Sequence, residues 1–105
     1  MSDTIELVRF RLQPGKTAAD WLKADEKINA WAKRQAGFRF RSLSETDDGE
    51  WLDICYWADA KAADAASARF REEMMGVCEP LVAQDSVTMS RSRAHVMQPA
   101  AECTQ

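Results

Sequence analysis

Gly49-Glu50-Trp51-Leu52-Asp53-Ile54-Cys55-Tyr56-Trp57-Ala58-Asp59 is the stretch on which the fold turns. It opens at a turn, runs as a strand dense in Trp, Ile and Tyr, and ends on an acidic residue suited to cap a helix. The residues just before it, Thr46-Asp47-Asp48-Gly49, follow an alternating run over Phe38 to Ser44. An Asp-Gly pair between two such runs is a strong short-range hairpin signal. The hairpin therefore joins a second strand, Phe38–Ser44, to a third, Trp51–Trp57.

Outward from this hairpin the other elements fall into place. Ile5–Leu12 alternates as a first strand, with Glu6, Val8, Phe10 and Leu12 on one face and Ile5, Leu7, Arg9 and Arg11 on the other. Pro14-Gly15 stops it, and Thr17 caps a helix with Asp20 as its capping-box partner. Trp21, Ala24, Ile28, Trp31 and Ala32 recur at helical spacing along that helix, and Gly37 ends it. Asp59 starts an alanine-rich second helix whose inward stripe is Ala63, Ala66, Phe70 and Met74, interrupted at Gly76. Glu79 to Ala83 reads as the start of a further helical turn, Ser86–Met97 as the last strand, and 98–105 as a frayed tail.

The order strand, helix, strand, strand, helix, strand predicts an α+β, ferredoxin-like βαββαβ domain: a four-stranded antiparallel sheet with two helices on one face. Right-handed crossovers put the first and third strands in the middle. At 105 residues the chain is one domain, residues 1–105, with its core over about 4–96. The net charge of −3 carries no basic field to attract nucleic acid. No apolar run reaches the roughly 20 residues of a membrane-spanning helix, and no leader is read at the N-terminus. Cys55, Cys78 and Cys103 lie far apart with no CxxC spacing, so neither a disulfide framework nor a metal site is expected, and the chain is expected to be cytoplasmic.

With Phe10, Phe40, Ile54 and Tyr56 placed toward the helices, the other sheet face carries Leu7, Arg9, Arg39, Trp51, Asp53, Cys55 and Trp57. That face is too apolar for water and calls for a second copy of the chain. Any planar aromatic ligand is then expected between sheet and helices, against Glu6, Phe10, Trp21, Trp31, Phe40, Tyr56 and Phe70. Arg9/Arg11, Arg39/Arg41 and Arg91/Arg93 are i, i+2 pairs that share faces. They read either as an anion-binding patch or as rim residues paired with Asp53, Glu45 and Glu50. Glu6 is a candidate general base on an apolar face, or else an edge residue that reaches water. The lone His95 has no paired acid or nucleophile to make it catalytic.

The Pro-Gly after the first strand, the Ala36-Gly37-Phe38 before the second, and the run Asp48–Ala66 resemble the antibiotic biosynthesis monooxygenase-like family of dimeric α+β barrels. The likeness spans about residues 4–96. It implies a homodimer of face-to-face sheets with a pocket between sheet and helices. Members of that family include cofactor-free oxygenases of phenols and quinols, haem-degrading enzymes and proteins of unknown role. The haem degraders carry an Asn on the first strand and a His on the second helix. Here the single Asn is Asn29 and the single His is His95, so haem is not expected. The resemblance implies an enzyme without a cofactor that oxygenates an aromatic phenol or quinol, or a non-catalytic ligand-binding or regulatory homodimer. It carries no catalytic residue over by position.

Overall fold

Strand β1 runs Thr4–Leu12, β2 Phe38–Glu45, β3 Trp51–Trp57 and β4 Val82–Arg93; helix α1 runs Ala18–Lys33, α2 Ala60–Glu73 and the single turn α3 Met75–Cys78. The computed structural model describes residues 2–101. Cys103 and the end of the expected tail lie outside the described residues. The sheet is antiparallel with strand order β2-β3-β1-β4, so β1 and β3 are central, and the architecture is α+β and ferredoxin-like.

Local chemistry sets the element ends. Thr17 and Asp20 close a reciprocal capping box, with Asp20 N–H donating to Thr17 Oγ1 (3.2 Å) and Thr17 N–H to Asp20 Oδ2 (2.9 Å). Asp59 Oδ1 accepts from Ala62 N–H (2.8 Å) and starts α2. The hairpin turn closes through Gly49 N–H to Thr46 O (3.0 Å), with Gly49 at φ +88°. Gly37, at φ +81°, lies so close to α2 that a Cβ there would stand 2.5 Å from the Ala62 Cβ. It lets the chain turn from α1 into β2 directly under the second helix.

The ends of two elements differ from the sequence reading. The helical turn after α2 falls on Met75–Cys78, before Pro80 rather than after it, and β4 already starts at Val82. Leu81 N–H bonds to Cys78 O and Gln13 N–H to Leu81 O, which steers the chain straight into the edge of the sheet. β4 stops at Arg93, leaving His95 exposed beyond the strand.

Pairing register decides the faces, because residues directly opposite in an antiparallel pair share one. Glu6 lies opposite Cys55, Val8 opposite Asp53 and Phe10 opposite Trp51. The helix-facing residues of β3 are therefore Trp51, Asp53, Cys55 and Trp57, not Ile54 and Tyr56. Trp51 and Trp57 are buried against the helices, which corrects their expected place on the uncovered face. In β2 one extra residue intervenes between Phe38 (opposite Trp57) and Phe40 (opposite Tyr56). This bulge reverses the alternation, so Phe38 packs edge-on to Trp57 while Phe40 points away and is 55% exposed. It also separates Arg39 from Arg41: the i, i+2 rule fails across a bulge.

Two clusters fill the space between sheet and helices. One gathers Phe10, Trp21, Ile28, Trp51, Cys78 and Val82; the other Trp31, Ala32, Trp57, Ala63 and Ala66. Phe10 meets Trp21 edge-to-face (5.2 Å), as Trp31 meets Phe70 (5.5 Å), contacts worth about 0.5–1.5 kcal/mol each beyond burial. The small Ala63 and Ala66 bring α2 close to the sheet.

Candidate functional site

Between the two clusters lies a cavity of about 260 Å³. Its apolar wall includes Phe10, Trp21, Trp31, Trp57 and Phe70, from β1, α1, β3 and α2. Five expected pocket residues, Glu6, Phe10, Trp21, Trp31 and Phe70, are brought together there. Phe40 and Tyr56 are not. They stack edge-to-face (5.7 Å) on the opposite side of the sheet, because the β3 register and the β2 bulge turn them outward. Of the residues expected on that opposite face, Leu7, Arg9 and Arg39 lie there, whereas Trp51, Asp53 and Trp57 are on the cavity side.

The charged residues in the cavity wall are Glu6, Arg41, Asp53 and Arg71. Arg41 has a side chain only 4% exposed and holds two carboxylates at once. Its Nη1 and Nη2 donate to Asp25 Oδ2 (3.0 Å) and Oδ1 (2.6 Å); its Nε and Nη2 donate to Asp53 Oδ1 (3.1 Å) and Oδ2 (2.7 Å). The expected pairing of Asp53 with a second-strand arginine is thus present, on the cavity side of the sheet. Burial pushes the Asp53 carboxyl above the usual carboxylate range, with the Arg41 hydrogen bonds and charge acting against it. Burial opposes the charge on Arg41, but hydrogen bonds and charge from Asp25 and Asp53 outweigh it and raise its pKa. Cys55, whose Sγ–H points to Asp53 Oδ1 (3.8 Å), is pushed up to about 12 by burial and by that carboxylate, so it is an inert thiol.

Glu6 forms a second cluster. It is 7% exposed, so it does not reach water as an edge residue would. Trp57 Nε1–H donates to its Oε1 (3.1 Å), while Arg91 Nη2 (2.8 Å) and Ser67 Oγ (3.4 Å) donate to Oε2. Arg91 also reaches Asp64 on α2 (2.6 Å), tying the edge strand to the helix above. With those donors satisfied by Glu6, a free general base is not what this geometry offers. The arginines as a set are not one anion patch: Arg9 pairs with Glu50, Arg11 with Asp48, and Arg41 and Arg91 are held inward.

Sequence reasoning passed over Asp25, Ser67 and Arg71, and it read Arg41 only as the partner of Arg39 on a shared face. Asp25 had a signal: it stands four residues after Trp21 and three before Ile28, on the buried stripe of α1. A carboxylate there requires a cation from the sheet. Among the described residues Trp21 Nε1 is the one buried side-chain donor without a partner.

The same arrangement of strands and helices recurs in solved structures. A protein of unknown function from Nitrosomonas europaea superposes with a TM-score of 0.72 at 14% identity, over 97% of this chain and 98% of that one. SnoaB, a cofactor-independent oxygenase from Streptomyces nogalater, gives 0.66 at 19% identity, over 97% and 100%. A protein provisionally assigned as an antibiotic biosynthesis monooxygenase from Chloroflexus aurantiacus gives 0.70 at 12% identity, over 93% and 98%. The fold is that of the antibiotic biosynthesis monooxygenase-like proteins. No protein-family model and no curated protein matches the sequence. At these identities the likeness to the monooxygenase-like structures shows the shared fold, and the site must speak through its own residues.

Proposed function

We propose that this protein binds a small planar aromatic in the cavity between sheet and helices, and that it oxygenates an electron-rich phenol or quinol there without a cofactor. The observation that carries the reading is the aromatic-walled cavity with the Asp53–Arg41 pair in its wall. Ligand sites are typically apolar clefts in which a few polar groups fix orientation. Asp53 lines the cavity and its pKa is raised by burial, so it is the wall carboxylate we assign to accept a phenolic proton, a step in which it gives up one of its two Arg41 hydrogen bonds. A phenolate gives up electrons to dioxygen more readily than the phenol does. In the balanced outcome a ring C–H position becomes C=O, one oxygen atom going to carbon and the other leaving as water. The substrate supplies all the electrons. The oxygenase fold neighbour supports this chemistry by analogy.

A second reading, a non-catalytic ligand-binding or regulatory homodimer, is favoured by a specific feature: Glu6, Arg41 and Asp53 are already engaged with protein partners. Oxygen uptake on incubation with hydroquinones and naphthols, measured beside tryptophan quenching by the same compounds, separates the two. Quenching with uptake is expected for the enzyme. Quenching without uptake selects the binder, and neither signal refutes both.

We also propose a homodimer formed through the sheet face away from the helices. That face carries Leu7, Leu52, Ile54 and Tyr56, with Phe40 largely exposed. An apolar patch of this kind marks an association surface. Sedimentation of a monomer at micromolar concentration would refute it. A cytoplasmic location is part of the same proposal, supported by the unpaired thiols of Cys55 and Cys78. Among the described residues no helix is long and apolar enough to cross a membrane.

A further inference from the structure

The charges around the cavity are not evenly satisfied. Glu6 is paired with Arg91, which it shares with Asp64, a carboxylate largely in solvent. Arg41 is outnumbered by the two carboxylates that grip it. Arg71 is the remaining charged residue of the wall, and among the described residues it has neither an ion-pair nor a hydrogen-bond partner. It sits in the last turn of α2, exposed to solvent. Across from it, Val87 and Met89 of β4 also line the cavity while remaining 41% and 59% exposed. The opening of the cavity therefore lies between the end of α2 and the edge strand, with one uncommitted guanidinium at its rim.

This gives the cavity a polarity. Away from that rim its wall holds Asp53 and Arg41, and Asp25, outside the lining, also grips Arg41, so the group carries one carboxylate more than cations: a hydroxyl is welcome there and a further anion is not. Its rim holds an unpaired cation whose planar fork matches a carboxylate. A volume of about 260 Å³ lies just under the range of about 300–1,000 Å³ usual for ligand pockets, so one or two fused rings fit better than a larger polycycle. We infer that the ligand is a hydroxylated mono- or bicyclic aromatic carrying a carboxylate, bound hydroxyl-inward with the carboxylate on Arg71. The inference rests on the aromatic-ligand reading of this cavity and adds the class of ligand and its direction.

The test uses 6-hydroxy-2-naphthoic acid and its methyl ester, bound to the full chain without oxygen and followed by tryptophan quenching. An ion pair near solvent is worth up to about 1 kcal/mol, so the acid should bind about fivefold more tightly than the ester. Arg71→Gln should remove that preference, Arg71→Lys should keep part of it, and raising the salt should weaken it. Arg69→Gln, an exposed arginine of the same helix that does not line the cavity, should leave it unchanged. Equal binding of acid and ester, or loss of the preference in Arg69→Gln as much as in Arg71→Gln, overturns the assignment while leaving an aromatic site in place. Failure of both compounds to bind removes the aromatic site itself, and the inference with it.

Discussion

Replacing Arg41 by methionine keeps most of the side-chain stem and removes the guanidinium, stranding Asp25 and Asp53 in the protein interior. Four hydrogen bonds of 2.6–3.1 Å disappear with it. Removing one partner of a buried ion pair costs about 3–5 kcal/mol, because the other charge stays buried without compensation. At roughly 4 °C per kcal/mol for a chain of this length, Tm should fall by about 12–20 °C at pH 7. The sign of the pH dependence follows from Asp53. Its folded pKa lies above the unfolded value because burial disfavours the charged form. The native state thus binds the proton more tightly than the unfolded chain, and stability declines as pH rises from the unfolded pKa to the folded one. Loss of Arg41 removes the two largest influences that hold Asp53 down, leaving the smaller Cys55 hydrogen bond against burial and the Asp25 charge, which raise it. That widens the window upward, so the deficit of Arg41→Met relative to the parent should shrink between pH 7 and pH 5. Urea unfolding followed by tryptophan fluorescence, at one fixed protein concentration, measures both quantities. A deficit below about 1 kcal/mol, or one that stays constant over that pH range, would refute the argument. The triple replacement Asp25→Leu/Arg41→Met/Asp53→Leu should recover most of the loss, since an apolar trio leaves no stranded charge.

Gly37→Ala should destabilise by about 2 kcal/mol or more in the same urea assay, because a left-handed φ and the Ala62 methyl both oppose a side chain there. Cys55, with its thiol pushed up to about 12, should resist iodoacetamide at pH 8 in the native protein and react once unfolded, as read by peptide mass mapping. Trp31→Ala should weaken binding of an aromatic probe more than Arg39→Ala does, since Trp31 lines the cavity and Arg39 faces away from it. The comparison requires variants shown by circular dichroism to be folded, because losing a buried Trp costs about 3–5 kcal/mol. Equal loss in both variants would place the site on the wrong side of the sheet.

The element order, both helix caps, the Asp-Gly hairpin and the inward stripes of the helices were legible in the residues alone. Each depends on neighbours within about four positions: Thr17 with Asp20, Asp59 with Ala62, Thr46 with Gly49. The ferredoxin-like topology followed, because a hairpin and two crossovers admit few arrangements. Which face of β3 met the helices was not legible. Trp51, Cys55 and Trp57 alternate with Leu52, Ile54 and Tyr56, so a period of two makes both faces apolar and favours neither. Only the pairing with β1, Phe10 opposite Trp51 and Glu6 opposite Cys55, selected one. The bulge at Arg39 had no signature in the chain, yet it turned Phe40 outward and Arg41 inward to meet Asp25 and Asp53. The sequence by itself determined the parts and their order, through local capping, turn and periodicity rules. The tertiary structure alone decided which side chains enclose the cavity, because register is fixed by contacts between residues far apart in the chain.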